Sequence, residues 1–566
     1  MQTNSNWPNL AAMMFTLAGA WPEKPMLRAY QDGAWHTVTW GAFARQAASC
    51  ARALRAAGVS AGDRVLLCME NRPEYPIAET ALMAIRAIPV PAYTINTAAD
   101  HAHLLRDSGA RVAIVSSAPL AERLRQAAAK ATKLDLVVMM DTPPESLPDI
   151  VPWASLVQDA RQPDDIALEA DQIPATTMAC LIYTSGTGGV PKGVMLPHRC
   201  ILSNCAGAVE LVRPLRLKNE VYLSYLPLAH SYEHTVGQFF LLSLGTEIVY
   251  ARGVEHLAAD MLAVRPTILT VVPRVLEVIR ARVLAQLARE KPWRRRLFQT
   301  ALAIGHKRID RQPLTPLEHL LDPLLDRLVR AKVRARFGGR LVAAMSGGAR
   351  LEPEVGRFFL ALGLKIMQGY GQTEAGPVIS ANPPDAIRID TVGTVLGGVD
   401  LRLADDGEIL VRGSLVMDGY WNRPADTAAT IVDGWLHTGD IGELDRGYLR
   451  ITDRKKDMIV LSGGENVSPA RIEGMLMAEA EIAQAVVAGD GRSGLSALVV
   501  PAEGLDDVAV ALAVHRTNMR LSATERIRKH AVVAPFTVEN GLLTASQKIR
   551  RMLAIRANAQ VLSRPR

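Results

Sequence analysis

Hydrophobic and polar positions follow two alternating periods over the first part of the chain. Short apolar runs lie at 64–70, 88–93 and 111–117, and stretches with helical spacing lie between them at 73–87 and 99–110. Apolar runs rich in β-branched residues predict strands, and the stretches between them predict helices. This alternation predicts an α/β fold built on parallel sheets.

A leucine-rich stretch follows in the middle of the chain. Its leucines recur at helical spacing, and basic residues occupy the same or the following turns. The leucines are Leu317, Leu320, Leu321, Leu324, Leu325 and Leu328, and the basic residues are Arg327, Arg330, Lys332, Arg334 and Arg336. The pattern predicts a helix with its leucine face in the core and a solvated basic face, and a membrane-surface role is the alternative interpretation.

The pattern changes again near Asp400. Short strands with glycine turns run to Tyr448 and predict a small, mainly antiparallel β region. Beyond Asp453 come a strand, a glycine turn, a helix from about Ser468 and a mixed tail. Because 566 residues exceed one ordinary core, we expect a multi-domain chain, with a large N-terminal domain over 1–452 and a small, mobile C-terminal α+β domain over 453–566.

Composition limits the class of protein. The chain is 49% hydrophobic and 21% charged, and it lacks an apolar run of the roughly 20 residues that span a bilayer. Its beginning lacks the basic region of a signal peptide, and five irregularly spaced cysteines fit a reducing compartment. We therefore expect a cytoplasmic protein, with peripheral contact at the inner face of a membrane as an alternative.

The net charge is +7. The basic residues are spread along the chain without interleaved aromatic residues, which disfavours nucleic acid as a partner. A preference for anionic substrates or surfaces accounts for the charge. The oligomeric state does not follow from the sequence.

The most informative stretch is Tyr-Thr-Ser-Gly-Thr-Gly-Gly-Val-Pro-Lys-Gly-Val at 183–194. Main-chain N–H groups, hydroxyls and one ammonium group in such a run suit polyphosphate binding. Lys192 lies between proline and glycine and is not followed by Ser or Thr, so the P-loop pattern is not met. Taken alone, the stretch is also compatible with a glycine-rich turn between strands.

Further short motifs occur downstream. They are Ser-Gly-Gly-Ala at 346–349, Gln-Gly-Tyr-Gly-Gln-Thr-Glu at 368–374, Gly-Trp-Leu-His-Thr-Gly-Asp at 434–440 and Asp-Arg-Lys-Lys-Asp at 453–457. Tyr370 offers a stacking face for a flat ring, and Asp440 and Arg454 offer acceptors and donors for hydroxyls. Glu374 offers a hard oxygen ligand for Mg²⁺. Each motif alone is weak evidence, and it is their joint occurrence in this order that indicates a nucleotide-binding site.

With these motifs the sequence resembles the AMP-forming acyl-CoA synthetases of the adenylate-forming superfamily, over residues 25 to 555. The resemblance implies ATP, Mg²⁺ and coenzyme A as cofactor and co-substrates, and a hinge near 453–457 with Lys456 at its pivot. It also implies two half-reactions, in which a carboxylic acid forms an acyl adenylate and the CoA thiol then displaces AMP. The segments 225–234 and 270–277 and the helical region 280–340 resemble the long-chain fatty acyl branch.

The resemblance implies a role for individual residues. Thr184 and Glu374 would hold Mg²⁺, and Lys548 would approach the α-phosphate during adenylation. The residues implied in ATP or AMP binding are Thr184, Ser185, Gly186, Thr187, Gly188, Gly189, Lys192, Gly347, Gly348, Ala349, Gln368, Gly369, Tyr370, Gly371, Thr373, Glu374, Asp440, Arg454 and Lys548. Those implied at the acyl group are His230, Tyr232, Gly347 and Gly371, and those at CoA are Gly463, Gly464 and Glu465.

The chain departs from the family pattern at two positions. Gly188 stands where the family usually has a second threonine. Loss of the hydroxyl is expected to weaken the binding of pyrophosphate by about 0.5–1.5 kcal/mol. Ala545 replaces a family-typical proline. Alternatives to a long-chain acyl-CoA synthetase are activation of a medium-chain or aryl acid, acyl transfer to a carrier protein, and a weakened binding homologue. His230 is also compatible with a core histidine bonded to backbone.

Overall fold

The computed structural model describes residues 7–159, 161–184, 190–463, 465–544 and 548–563, which form two compact units. The larger unit comprises 7–159 and 161–184 together with Gly193–Asp400 and Val411–Leu436. The smaller unit comprises 190–192, Leu401–Leu410 and the described residues from His437 onward. The predicted fold class, α/β with a large N-terminal and a small C-terminal part, is confirmed. The domain boundary near 453 stays a prediction.

The strands are numbered along the chain. They are β1 (Pro25–Gln31), β2 (Ala34–Thr39), β3 (Arg64–Cys68), β4 (Ile88–Pro91), β5 (Val112–Val115), β6 (Leu136–Met139), β7 (Val151–Pro152), β8 (Met178–Thr184), β9 (Lys192–Pro197), β10 (Val221–Ser224), β11 (Glu247–Tyr250), β12 (Ile268–Val271), β13 (Ala343–Ser346), β14 (Ile366–Gly371), β15 (Val378–Ala381), β16 (Thr394–Val395), β17 (Val399–Leu403), β18 (Glu408–Gly413), β19 (Gly419–Tyr420), β20 (Ile431–Val432), β21 (Trp435–Asp445), β22 (Tyr448–Arg454), β23 (Ile459–Val460), β24 (Asn466–Val467), β25 (Ile482–Ala488), β26 (Leu495–Pro501) and β27 (Ile527–Val532).

The α-helices are numbered in the same way, and π-helical turns occupy Glu233–Phe240 and Asp326–Arg330. The helices are α1 (Leu10–Ala20), α2 (Trp40–Ala56), α3 (Glu74–Ala84), α4 (Ala98–Ser108), α5 (Ala118–Ala128), α6 (Asp164–Asp171), α7 (His198–Val212), α8 (Leu241–Ser243), α9 (Leu257–Val264), α10 (Pro273–Ala288), α11 (Pro292–Ile309), α12 (Pro316–Leu325), α13 (Ala331–Ala335), α14 (Pro353–Ala361), α15 (Pro424–Thr430), α16 (Pro469–Met477), α17 (Asp507–Asn518), α18 (Arg551–Ala557) and α19 (Ala559–Ser563). Among the residues that the structure describes, no helix has both the length and the apolar character required to cross a membrane.

Two parallel arrays of strands dominate the larger unit. The order β4-β3-β5-β6-β7 forms a parallel five-stranded sheet, as the alternation of runs between 64 and 117 predicts. In the second array β1, β11, β10, β12, β13 and β14 are parallel, with β2 antiparallel at one side and β15 and β16 at the other. The carboxyl ends of β12, β13 and β14 therefore meet at one edge.

Local sequence signals fix the helices between these strands. At the start of α4, the Thr97 hydroxyl accepts from the Asp100 N–H, and the Asp100 carboxylate accepts from the Thr97 N–H. This reciprocal capping box satisfies two N–H groups that the first turn leaves unpaired. Gly109 ends the helix at φ 68°, a left-handed conformation that glycine adopts without strain.

The smaller unit has its own core and sheets. Strands β25 and β26 are antiparallel, and β26 and β27 are parallel. Helix α16 begins after Ser468, whose side chain accepts from the Arg471 N–H, so the helix predicted from about Ser468 is confirmed. Ile472 and Leu476 of this helix are fully buried in the apolar cluster of the unit.

The structure corrects the prediction made for the leucine-rich stretch. Leu325 is 2% exposed and Leu321 packs against the same core. Four other leucines of the stretch face solvent instead. They are Leu317, Leu320, Leu324 and Leu328. The leucine face is thus divided, because the helix surface presents more apolar positions than one line of core contact covers.

A buried carboxyl group joins two central strands to the π-helical turn. Glu233 is fully buried and accepts hydrogen bonds from Tyr222 Oη of β10 at 2.6 Å and from Thr270 Oγ1 of β12 at 2.8 Å. The Ser224 hydroxyl donates a third, at 2.7 Å. Gly237 lies one turn on, where a side chain would overlap the Glu233 carboxyl group. Burial raises the pKa of Glu233 to about 7, against the opposing effect of the three hydroxyl donors.

This pKa predicts a pH-dependent stability. The ordinary value is 4.5, so between pH 4.5 and about 7 the folded state holds a proton that the unfolded state has lost. The free energy of unfolding therefore falls as pH rises through this window and is level above it. Relative to Glu233→Gln, which stays neutral, the wild type should lose about 2.5 kcal/mol between pH 5 and pH 8. Thermal unfolding midpoints of both proteins across this range measure the difference, and a constant difference would contradict the raised pKa.

Candidate active site

The glycine motifs lie at adjacent strand ends of the second array. Ser346 closes β13, with Gly347 next in the chain, and Ser346 is the register partner of Gln368 in β14. Of the predicted adenine residues, Gly347 thus directly follows β13, and Tyr370 lies in the neighbouring strand β14. In parallel α/β sheets the carboxyl ends of the strands are where ligands bind, so the fold places these residues at the appropriate edge.

Two of these glycines are required by close approach or by conformation. A side chain on Gly371 would overlap the carbonyl oxygen of Pro377. Gly348 has φ 81°, in the left-handed region that other residues rarely adopt. One glycine of each motif is therefore explained by the backbone, independently of any ligand.

Tyr232 packs over the first glycine. A side-chain carbon on Gly347 would lie 2.9 Å from the Tyr232 ring, and the Tyr232 hydroxyl donates to the Met345 carbonyl at 2.7 Å. The structure thus brings together two of the residues predicted at the acyl group. His230 is half-buried, and its Nδ1 accepts from the Tyr232 N–H at 3.1 Å. His230 therefore holds the turn on which Tyr232 sits.

Glu374 is held by two residues of the segment 417–420 in the larger unit. Its Oε1 accepts from the Tyr420 hydroxyl at 2.8 Å, and its carbonyl oxygen accepts from the Met417 N–H at 3.0 Å. The preceding residue, Thr373, is 2.8 Å from the Ser231 hydroxyl. Burial, and next the charge of Glu374, raise the pKa of Tyr420, so its hydroxyl stays a donor.

Tyr420 is a residue that the sequence analysis missed. It lies 46 positions from Glu374 along the chain, and nothing in its local pattern marks it. Strand β19 pairs with β9, with Tyr420 opposite Val194. Tyr420 therefore links the candidate metal ligand to β9, which begins at Lys192 of the predicted phosphate-binding stretch.

The predicted phosphate-binding stretch, from Thr184 to Lys192, is described only at its ends. Thr184 closes β8 and is half-buried, and Lys192 opens β9. The remaining predicted residues, Ser185, Gly186, Thr187, Gly188 and Gly189, lie outside the described residues. The role of the loop and the effect of Gly188 stay predictions.

In the smaller unit the two predicted ribose residues contact each other. Asp440 and Arg454 are register partners on β21 and β22, and Arg454 Nε donates to Asp440 Oδ1 at 2.8 Å. Asp440 is 4% exposed. A two-residue turn joins the strands, with Arg446 and Gly447 at φ 51° and 82°, the conformation that suits tight hairpins. The pair presents a carboxylate and a guanidinium side by side.

Lys548 is exposed. Its N–H donates to the Thr544 hydroxyl at 3.0 Å, and its carbonyl oxygen accepts from the Thr544 N–H at 2.8 Å. Ala545 lies outside the described residues. Three positions on, Arg551 donates two 2.6 Å hydrogen bonds to Glu473 of α16. This bidentate pair, which the sequence analysis also missed, anchors the chain just after Lys548.

The predicted CoA and hinge residues also belong to the smaller unit. The Glu465 carboxylate folds over Gly463, where a side chain would overlap it, and Gly464 lies outside the described residues. Lys456 is exposed. The preceding Lys455 pairs with Asp406 at 2.5 Å and with Glu408 at 2.9 Å. The CoA and hinge assignments stay predictions.

Comparison with known proteins identifies the family. Residues 15–421 match the AMP-binding enzyme family, and residues 456–563 match the AMP-binding enzyme C-terminal domain. The chain is 32% identical to long-chain-fatty-acid–CoA ligase FadD15 of Mycobacterium bovis, over 96% of this chain and 94% of that protein. It is 30% identical to the peroxisomal long chain acyl-CoA synthetase 6 of Arabidopsis thaliana, over 87% of this chain and 76% of that protein.

Solved structures share the fold. The anthranilate CoA ligase AuaEII in complex with anthranoyl-AMP aligns over 100% of both chains with a TM-score of 0.76 at 20% identity. ATP-bound MatB from Rhodopseudomonas palustris aligns over 98% of this chain and 100% of that one with a TM-score of 0.72 at 22% identity. With the strand-end motifs and both family matches, the chain belongs to the AMP-binding enzyme family, within the AMP-forming acyl-CoA synthetases.

Proposed function

We propose that this enzyme activates a long-chain fatty acid with ATP and transfers the acyl group to coenzyme A, giving acyl-CoA, AMP and pyrophosphate. The observation that carries the proposal is the cluster at the ends of β13 and β14. There Tyr232 covers Gly347, and Glu374 is fixed by Tyr420. The choice of acid is supported by relatives that are named as long-chain ligases and that match this chain over most of their length.

The donor set around Glu374 fits Mg²⁺. Tyr420 uses one acceptor position of a carboxylate that has about four, so Glu374 retains capacity for a hard cation. Thr184 is the second proposed ligand. Bound Mg²⁺ would supply neutralisation of the phosphate charges.

The first half-reaction joins two anions. A carboxylate oxygen of the acid attacks the α-phosphorus of ATP, the bond to the bridging oxygen breaks, and pyrophosphate leaves with both electrons. Lys192 and Lys548 are the proposed cations that meet the charge developing on the phosphates. Asp440 and Arg454 are proposed to hold the ribose, and Tyr370 the adenine ring.

The second half-reaction needs no covalent bond to the protein. The CoA sulfur, having lost its proton to solvent, attacks the acyl carbonyl carbon, and AMP leaves with the electrons of the anhydride bond. Gly463, Gly464 and Glu465 are proposed to lie along the pantetheine arm. The mixed anhydride is sufficiently activated for this transfer without a further cofactor.

The function is tested by acid-dependent AMP release with CoA present. Saturated acids from short to very long and several aryl acids are compared. We expect a maximum among long chains, with acyl-CoA as product. A maximum among medium-chain or aryl acids would contradict the acid assigned here. Formation of acyl adenylate without thioester would indicate a carrier-protein acceptor, and no AMP with any acid would contradict the enzyme activity.

Lys548→Ala should lower adenylation by roughly 10²–10³, because one preorganised cation at the transition state is lost. Acid-dependent pyrophosphate exchange measures this step. Formation of thioester from preformed acyl adenylate should continue at the wild-type rate. The control is Lys133→Ala, an exposed lysine of the larger unit, and an unchanged exchange rate in Lys548→Ala would refute the assignment.

Tyr420→Phe should raise the Mg²⁺ concentration needed for half-maximal pyrophosphate exchange by roughly tenfold, since partners that orient a metal ligand commonly affect affinity on this scale. A purely structural role for Tyr420 would lower the rate at every Mg²⁺ concentration and leave the midpoint in place. Tyr30→Phe, at a tyrosine that is 38% exposed, serves as the matched control.

A further inference from the structure

Helix α12 carries an apolar stripe that faces solvent. Leu317, Leu320, Leu324 and Leu328 are 64%, 76%, 50% and 41% exposed. Their spacing of three, four and four residues places them along one line of the helix and its π-helical continuation. We call these four residues the leucine stripe. Single exposed leucines are ordinary, whereas an aligned row is a candidate contact surface.

The opposite face of α12 is firmly docked. Asp322 is 3% exposed and pairs with Arg330 at 2.7 Å and with Arg308 at 2.5 Å. Arg330 also donates to the carbonyl oxygens of Ala301 and Ala361. The exposure of the leucine stripe therefore belongs to a helix with well-defined packing on its other side.

Positive charge accompanies the stripe. Glu318 is paired with Lys307 at 2.6 Å, and Asp326 with Arg334 at 2.7 Å, so the acidic groups beside the stripe are neutralised. Arg327 and Lys332 are exposed, and neither has an ion-pair partner within the described ranges. By helical spacing they lie on or beside the stripe.

The net positive charge of the chain is concentrated in the segment around the stripe. Residues 280–340 contain 16 Lys and Arg against five Asp and Glu, a formal net charge of +11, whereas the entire chain carries +7. The basic residues are therefore less evenly spread than the overall composition indicates. The remainder of the protein has a formal net charge of −4, so the positive potential is local to this segment.

We propose that the leucine stripe, with Arg327 and Lys332, docks the enzyme on an anionic lipid bilayer. An apolar row between cations matches the interface of a bilayer, where leucines enter the acyl boundary and cations meet anionic headgroups. Contact between two copies through this face would place two segments of charge +11 against each other, which opposes self-association. The positive charge of this face therefore favours an anionic lipid surface, rather than a second copy of the chain, as its partner.

The test measures binding to sedimented vesicles without ATP, acid or CoA, so its result is independent of the proposed function. Vesicles of phosphatidylcholine are compared with vesicles of equal parts phosphatidylcholine and phosphatidylglycerol. We expect binding to the anionic vesicles, weakening as salt rises from about 0.05 to about 0.5 M. Failure to bind anionic vesicles at low salt would overturn the proposal.

Two variants test the residues. Leu317→Gln/Leu320→Gln/Leu324→Gln should lower the partition coefficient at least tenfold, because three apolar side chains no longer enter the bilayer. Arg327→Gln/Lys332→Gln should lower it roughly tenfold on anionic vesicles and leave binding to neutral vesicles unchanged. Thermal unfolding midpoints within a few degrees of the wild type confirm that both variants are folded.

Matched controls separate this surface from general adsorption. Leu168, Leu262 and Leu512 are 70%, 58% and 57% exposed on α6, α9 and α17, and their triple change to Gln should leave binding intact. An equal loss in this control would overturn the proposal. A wild-type dimer that the stripe variant dissociates, seen by sedimentation velocity, would also overturn it in favour of a second copy.

Discussion

The hydrogen bonds of the buried Glu233 carboxyl group fix the geometry on which the candidate site depends. They join the ends of β10 and β12 to the turn at 230–234. From that turn Tyr232 reaches Met345 and covers Gly347, and Ser231 reaches Thr373 beside Glu374. Placing an ionisable group in an apolar interior is unfavourable unless donors surround it. Here those donors come from β10 and β12, which belong to the same array as β13 and β14.

A second buried carboxyl group holds the π-helical turn from its other side. His234 and Gln238 of the π-helical turn both contact the buried Glu79 carboxylate of α3, at 2.5 Å and 2.7 Å. The turn is thus held from the sheet side by Glu233 and from the helix side by Glu79. Two buried carboxyl groups, one in the turn and one in α3, therefore hold the position of the segment that carries Tyr232.

The sequence was sufficient for features whose signals are local. Strands β3 to β5 and their helices follow from alternating period, and the start of α16 follows from Ser468. The sequence predicts an antiparallel β region near β21 and β22 but not the pairing of these two strands. Asp440 and Arg454 face each other because of the strand register, and sequence motifs do not determine that register. Tyr420 and Arg551 act on partners 46 and 78 positions away, so only the folded chain identifies them. The leucines of α12 show the same limit, because helical spacing defines a face and leaves open what covers it.

The hairpin of β21 and β22 has a consequence for chain length. Its register runs from the turn at Arg446 and Gly447, through an irregularity after Ile441, to the pair of Asp440 with Arg454. Side chains alternate between the two faces of a strand, so one residue more or fewer in the turn would send Arg454 to the opposite face. Loops on a protein surface usually tolerate insertions. The length of this turn, by contrast, sets the register that brings the Arg454 guanidinium to the Asp440 carboxylate. Among divergent relatives, the two-residue turn should therefore vary in sequence and not in length.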